Sequence, residues 1–247
     1  MTVGLFIPCY VDQFYPNVAI ATLQLLEKFG CEVVYPANQT CCGQPMANSG
    51  YEKLAQSCNE LIVKNFEDCD YVVCPSGSCT LHVKDHLHSK KDEPAAKSIR
   101  KKIYELSEFL TDVLQVTNID ASFPYKVGMH QSCHGQRGLM LSQMTELVAP
   151  GYSKPGQLLN MVKDIEVIDL DRRDECCGFG GTFCVVEESV SAKMGKDRVA
   201  DHLKHEVDVI TGVDMSCLMH MEGILKRQKS NVKVMHIAEI LNGEASI

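Results

Sequence analysis

The chain has 247 residues, 45% of them hydrophobic, with a formal net charge of -8. That length fits one large domain or two small ones, and that apolar fraction excludes a disordered chain. The negative balance and the lack of a long basic block argue against nucleic acid, because phosphate contacts need clustered positive charge.

No apolar run approaches the roughly 18 residues of a membrane helix. Met1 to Val11 lacks a basic n-region, and Pro8 interrupts its short apolar run, so no secretory leader is expected. The expectation is a soluble, cytoplasmic protein without a membrane span. The 13 cysteines are the outlying feature. An odd count suits a pure disulfide framework poorly, and in a cytoplasmic chain of this size cysteines read as metal-binding or redox-active. Free cysteine behaving as a small buried hydrophobe explains a few of them but not their pattern.

Taken in chain order, Val3-Gly4-Leu5-Phe6-Ile7 is a continuous apolar run, the pattern of a buried parallel strand, and it ends at Pro8-Cys9. Phe14, Val18, Ala21, Leu25, Leu26 and Phe29 mark one face of a helix that Gly30 stops. Cys31 to Tyr35 is a second strand, and a loop leads to Cys41-Cys42-Gly43. A helix over Tyr51 to Phe66 precedes a third strand at Tyr71-Val72-Val73, which ends near Cys74 and leads to Cys79. One long helix over Pro94 to Val116 closes the first half.

The second half restarts with a strand at Lys126 to Met129 and Cys133 just beyond. Helical stretches follow at Arg137 to Leu147 and Gln157 to Val162, then a strand at Ile165 to Leu170 with Cys176 a short loop later. A helix over Glu187 to His205, a strand at Val207 to Thr211 with Cys217 beyond it, a strand at Val232 to Met235 and a helix over His236 to Leu241 complete the chain.

The cysteines repeat with these elements. A lone cysteine, a Cys-Cys-Gly triplet and a Cys-x-x-His sequence occur in that order twice. The first set is Cys9, Cys41-Cys42-Gly43 and Cys79 with His82; the second is Cys133, Cys176-Cys177-Gly178 and Cys217 with His220. Alternating strands and helices predict an α/β fold of two pseudo-repeated, Rossmann-like βαβ halves with parallel strands, divided at 1–120 and 121–247. In such sheets ligands bind beyond the carboxyl ends of the strands, where all the repeated cysteines fall.

Thiolates are soft donors that select zinc, copper(I) and iron–sulfur clusters. Adjacent cysteines chelate one small ion poorly but can ligate two irons of a polynuclear cluster. Gly43 and Gly178 allow the tight backbone that turns both thiols inward, and the amides of Gly180 and Gly181 are candidate donors to cluster sulfur. The candidate ligands are therefore Cys9, Cys41, Cys42, Cys79, Cys133, Cys176, Cys177 and Cys217, with His82 and His220 as further ligands or supporting groups. Cys31, Cys58, Cys69, Cys74 and Cys184 fall outside the repeat, and Cys31 and Cys58 read as core residues. His134 and Arg137 beside Cys133 set local charge or start a helix, and the stretch His82 to His88 reads as a solvated helix face. No Gly-x-Gly-x-x-Gly or Gly-x-Ser-x-Gly occurs.

This pattern resembles the cysteine-rich, or CCG, domain family, present here twice. That family includes the cysteine-rich subunit of heterodisulfide reductase and the iron–sulfur subunits of glycolate oxidase and anaerobic glycerol-3-phosphate dehydrogenase. Cys41-Cys42-Gly43-Gln44-Pro45, Pro75-Ser76-Gly77-Ser78-Cys79, Cys176 to Phe183, Ser216-Cys217-Leu218 and Val234 to Glu239 resemble, within it, the iron–sulfur subunit of a three-part L-lactate dehydrogenase complex. The resemblance covers essentially the whole chain. It implies an electron-carrying subunit with one or two clusters of the 4Fe–4S type, held by the eight repeated cysteines. It also implies two partners, a ferredoxin-like iron–sulfur subunit and a third subunit, that with it oxidise L-lactate to pyruvate. The heterodisulfide reductase pattern ends in Cys-x-x-Cys, where this chain has His82 and His220. Two other readings of the cysteines stand beside this one: a thiol–disulfide redox enzyme and a zinc-stabilised scaffold.

Overall fold

The structure, a computed structural model, describes residues 1–148 and 150–243. The apolar runs become strands because helices bury them. Strands β1 (Thr2–Leu5), β2 (Glu32–Val34), β3 (Tyr71–Cys74) and β4 (Ile103–Glu105) form one sheet in the order β2-β1-β3-β4. Strands β5 (Lys126–His130), β6 (Glu166–Ile168), β7 (Val209–Gly212) and β8 (Lys233–His236) form a second sheet in the equivalent order β6-β5-β7-β8. Every pairing is parallel. Two similar α/β halves with parallel sheets are thus present, as the alternation of elements predicts. The central strands carry the buried residues, among them Val3, Leu5, Val72, Val73, Val127, Val209 and Ile210.

Most helices stand where their periodicity puts them, at Pro16–Lys28, Glu52–Phe66 and Glu188–Lys204. Two others, Gly77–His86 and Met215–Arg227, carry Cys79 and Cys217. Two expectations need correction. The long helix over 94–116 is a helix at Glu93–Lys102, then strand β4, then short helical turns over 106–113. Residues 103–105 pair with β3 through Val72↔Ile103 and Cys74↔Glu105, and Ile103 and Tyr104 are themselves strand-favouring residues that the helical period of 93–102 conceals. The helix over 137–147 is a single π-helical turn at His134–Gly138 followed by irregular chain. Met140 there has φ +54, a backbone conformation that no regular helix admits.

The larger apolar core runs through both sheets, and a smaller one centred on Phe6, Phe66 and Val72 lies under the first. The halves are also tied by polar contacts. Lys28 Nζ donates to Asn242 O at 2.8 Å, Asn242 Nδ2 donates to Gln24 Oε1 at 2.6 Å, and Tyr15 OH donates to Glu222 Oε2 at 2.7 Å. No helix among the described residues is long and apolar enough to cross a membrane.

Candidate metal centre

Parallel strands all end at the same edge of their sheet, so the loops that follow them must meet there. Cys9 opens the short helix after β1. Cys41 and Cys42 lie in the loop after β2, and Cys79 lies in the first turn of Gly77–His86, just beyond β3. Cys133, Cys176–Cys177 and Cys217 take the equivalent places after β5, β6 and β7. Cys79 and Cys217 each sit at the amino end of a helix, where unpaired amides and the helix dipole favour negative charge.

Within each half the thiols touch in sequence. Cys9 meets Cys41, Cys41 meets Cys42, and Cys42 Sγ lies 3.4 Å from Cys79 Sγ. Cys133, Cys176, Cys177 and Cys217 make the same chain of contacts. The Cys-Cys-Gly glycines make this possible. Gly43 and Gly178 have φ +92 and +84, and each donates its amide to the first cysteine of its pair, Cys41 Sγ and Cys176 Sγ, at 3.3 Å. Phe179 N donates to Cys177 Sγ at 3.5 Å in the second half.

These contacts decide which sulfur gives up its proton first. Hydrogen bonding from Cys42 and then Cys9, reinforced by the Gly43 amide, holds Cys41 down to about 2. Cys133, Cys177 and the Gly178 amide do the same for Cys176, also about 2. The donating neighbours Cys9, Cys42, Cys133 and Cys177 are pushed up instead, first by those same hydrogen bonds and then by burial. Each half thus presents one ready thiolate inside a cluster of thiols.

Both sets open on one crevice. Its walls hold all eight cysteines, with Tyr10 and Phe179 at one side and Ser78 and Asp214 at another. The two Cys-x-x-His helices meet end to end beside it. Gly77 N donates to Val213 O at 3.1 Å, Ser78 N donates to the buried Asp214 Oδ2 at 2.8 Å, and Ser76 faces Asp214 in an isolated bridge. Ser76 and Asp214 are also the caps of those helices, so the same residues fix Cys79, Cys217 and the join between halves.

The histidines divide. His82 is buried, not on a solvated face, and burial first holds its imidazole down to about 4, with the Cys41 thiolate opposing. His220 is half-buried and its Nε2 is 3.3 Å from Ser191 O. His86 and His88 are exposed, as expected of a solvated face. His134 lines the crevice, whereas Arg137 is paired with Glu146 outside it. Cys31 and Cys69 are buried away from the crevice lining. Cys58 is half-buried and close enough to feel the Cys41 charge, which corrects its reading as a plain core residue. Cys74, buried at the end of β3, feels the charge of Cys79, and Cys184 Sγ donates to Gly181 O at 3.0 Å. The periodicity left out His130, the last residue of β5. Its ring lies with Cys177 and Cys217, their ligand atoms within 4.8 Å of one another. The clue in the sequence is a histidine three positions before Cys133, where the first half has Phe6 before Cys9.

Comparison with known proteins agrees with this arrangement. The cysteine-rich domain model, CCG, matches residues 3–84 and 127–222, one copy in each half. Over 246 residues the chain is 42% identical to lactate utilization protein A of Bacillus licheniformis, covering 98% of this chain and 99% of that one. The chain belongs to the lactate utilization protein A family of cysteine-rich domain proteins. The Bacillus subtilis member of the family is likewise 42% identical over 98% of this chain and 99% of its own. A hypothetical protein from Helicobacter pylori shares the fold, with a TM-score of 0.65 at 10% identity. That match covers 97% of this chain, which spans about half (48%) of the Helicobacter chain. The donor set suits the group that the family resemblance implies. Eight thiols in two contacting sets, each with an amide aimed at sulfur, form a soft donor set of the kind that binds metal ions or metal clusters.

Proposed function

We propose that this chain is an electron-transfer subunit of a cytoplasmic lactate-utilizing system, and that it carries iron–sulfur clusters. Cys9, Cys41, Cys42 and Cys79 would hold one cluster and Cys133, Cys176, Cys177 and Cys217 a second, each of the 4Fe–4S type. The bound clusters would supply one-electron redox chemistry. The chain's own residues hold the thiolates, direct Gly43 and Gly178 amides at sulfur, and exclude bulk water from Cys42 and Cys177. The observation that carries this reading is the pair of matched thiol sets lining a single crevice.

The two repeats are proposed to divide at 1–120 and 121–247. The proposed partners are a ferredoxin-like iron–sulfur subunit and a third subunit, which together with this chain would oxidise L-lactate to pyruvate. His82 and His220 are retained as candidate supporting groups, His82 through its closeness to Cys41.

The test is metal analysis of anaerobically purified protein, with absorption spectra before and after reduction. About eight irons per chain with matching sulfide, and absorption that bleaches on reduction, supports the reading, whereas about four would mean a single cluster. Zinc alone, or no metal after reconstitution, overturns it. The low-lying Cys41 and Cys176 thiolates beside adjacent thiols favour a second reading, thiol–disulfide exchange. Undiminished disulfide reduction by fully metal-free protein would favour that alternative.

A further inference from the structure

The two halves hold matched cysteines but back them with different chemistry. In the first half the residue three before Cys9 is Phe6. It is fully buried and packs edge-on against Phe66, ring centroids 5.9 Å apart. A Cβ at Gly4 would meet Phe66 at 2.5 Å, and Ile62 lies one helical turn earlier on the same buried face.

In the second half the residue three before Cys133 is His130. A Cβ at Gly128 would meet His202 at 2.4 Å, and Arg198 lies one helical turn earlier. The apolar trio Phe6, Ile62 and Phe66 is thus replaced by His130, Arg198 and His202, all buried. Arg198 is anchored to the carbonyls of Arg172 and Met129 and to Asp201 Oδ2.

His130 has no such anchor. It is 1% exposed, and neither ring nitrogen has a hydrogen-bond partner. A buried polar group left in this state carries a desolvation cost that a ligand relieves. The nearest groups that can share a ligand with it are the buried Cys177 and Cys217 sulfurs, with all three donor atoms within 4.8 Å of one another. Phe6 can offer nothing comparable to Cys42 and Cys79.

We propose that His130 donates a ring nitrogen to the metal centre of the second half, so that the two centres in one chain are chemically different. The inference rests on the metal-binding reading above. It adds that the first centre is held on the sheet side by an apolar ring and the second by imidazole, with the Arg198 guanidinium behind it. His130 thus adds to the four thiols of its half a donor that the first half lacks.

The test uses the full chain, purified anaerobically with its metal content measured, grown with 14N- or 15N-histidine. Pulsed EPR is recorded with the cluster poised in its paramagnetic state. The expected result is a strongly coupled nitrogen whose pattern changes with the histidine label and is lost in His130→Phe. His130→Asn serves as a second variant, with folding of both checked by circular dichroism. Iron and sulfide present without any histidine coupling overturns the assignment, as does a full set of couplings persisting in either folded variant. Absence of metal from the wild-type chain overturns the metal-binding reading itself, and the role of His130 with it.

Discussion

The first and second halves share strand order, cysteine placement and the left-handed glycine after each Cys-Cys pair, yet differ in the layer behind the sulfurs. Behind the first set lies Phe6 against Phe66; behind the second lie His130, His202 and Arg198, the last paired with Asp201 at 3.1 Å. Duplicated cysteines therefore do not mean duplicated surroundings. The thiols determine what can bind, and the layer behind them adjusts charge and hydrogen bonding at each site.

Removing Arg198 tests this difference with the largest effect. Its side chain and that of Asp201 are almost wholly buried, at 0% and 2% exposed. Arg198→Leu leaves the buried Asp201 carboxylate without the Arg198 cation, held by the Arg172 amide, and is expected to lower stability by about 3–5 kcal/mol in chemical denaturation. The first half shows the remedy. Ile62 and Asn65 hold the corresponding positions there, so the double change Arg198→Ile with Asp201→Asn is expected to recover much of the loss. Equal destabilisation by the single and double changes would break the comparison.

The glycines after the cysteine pairs give a smaller contrast. Gly43 and Gly178 are both left-handed, so alanine at either costs about 1–2 kcal/mol in backbone strain. The new Cβ would meet Ala55 Cβ at 3.0 Å in the first half, but Met194 Cβ and Ser191 O at 2.7 Å in the second. Gly178→Ala is expected to lower the melting temperature more than Gly43→Ala. A larger effect at Gly43 would show that the second loop yields more readily than its packing implies.

The smallest contrast is in pH response. Glu105 and His236 end equivalent edge strands and cap the helical turns that follow. Burial raises Glu105 to about 8 from an ordinary 4.5 and lowers His236 to about 4 from 6.5. For Glu105 the folded state holds the proton more tightly. Its contribution is present below about 4.5 and is lost as pH rises through 8. For His236 the folded state holds the proton less tightly, so its contribution is present above 6.5 and is lost as pH falls through 4. Glu105→Gln is therefore expected to raise the melting temperature more at pH 8 than at pH 5. An equal change at both pH values would contradict the buried acid.

Much of this was legible in the residues. The two strand–helix series, the repeated cysteine order and the role of Gly43 and Gly178 followed from apolar runs, spacing and backbone freedom. Strand β4 was not legible, because the helical period of 93–102 conceals the strand-favouring Ile103 and Tyr104. The irregular chain after Gly138 was equally hidden, since it turns on the left-handed Met140 and nothing in that residue's type marks such a conformation. His130, Arg198 and His202 escaped for a different reason. Single polar residues within apolar or helical stretches carry no signal of their own until the halves are superposed.

The central claim is that each half holds its own iron centre through its own four thiols. The most direct test is iron and acid-labile sulfide per chain in the wild type, Cys42→Ser, Cys177→Ser and Cys31→Ala, all purified anaerobically. The expected result is two centres in the wild type, loss of about half the iron in each serine variant and no loss at the buried, distant Cys31. Equal iron in all four proteins, or zinc in its place, would contradict the account.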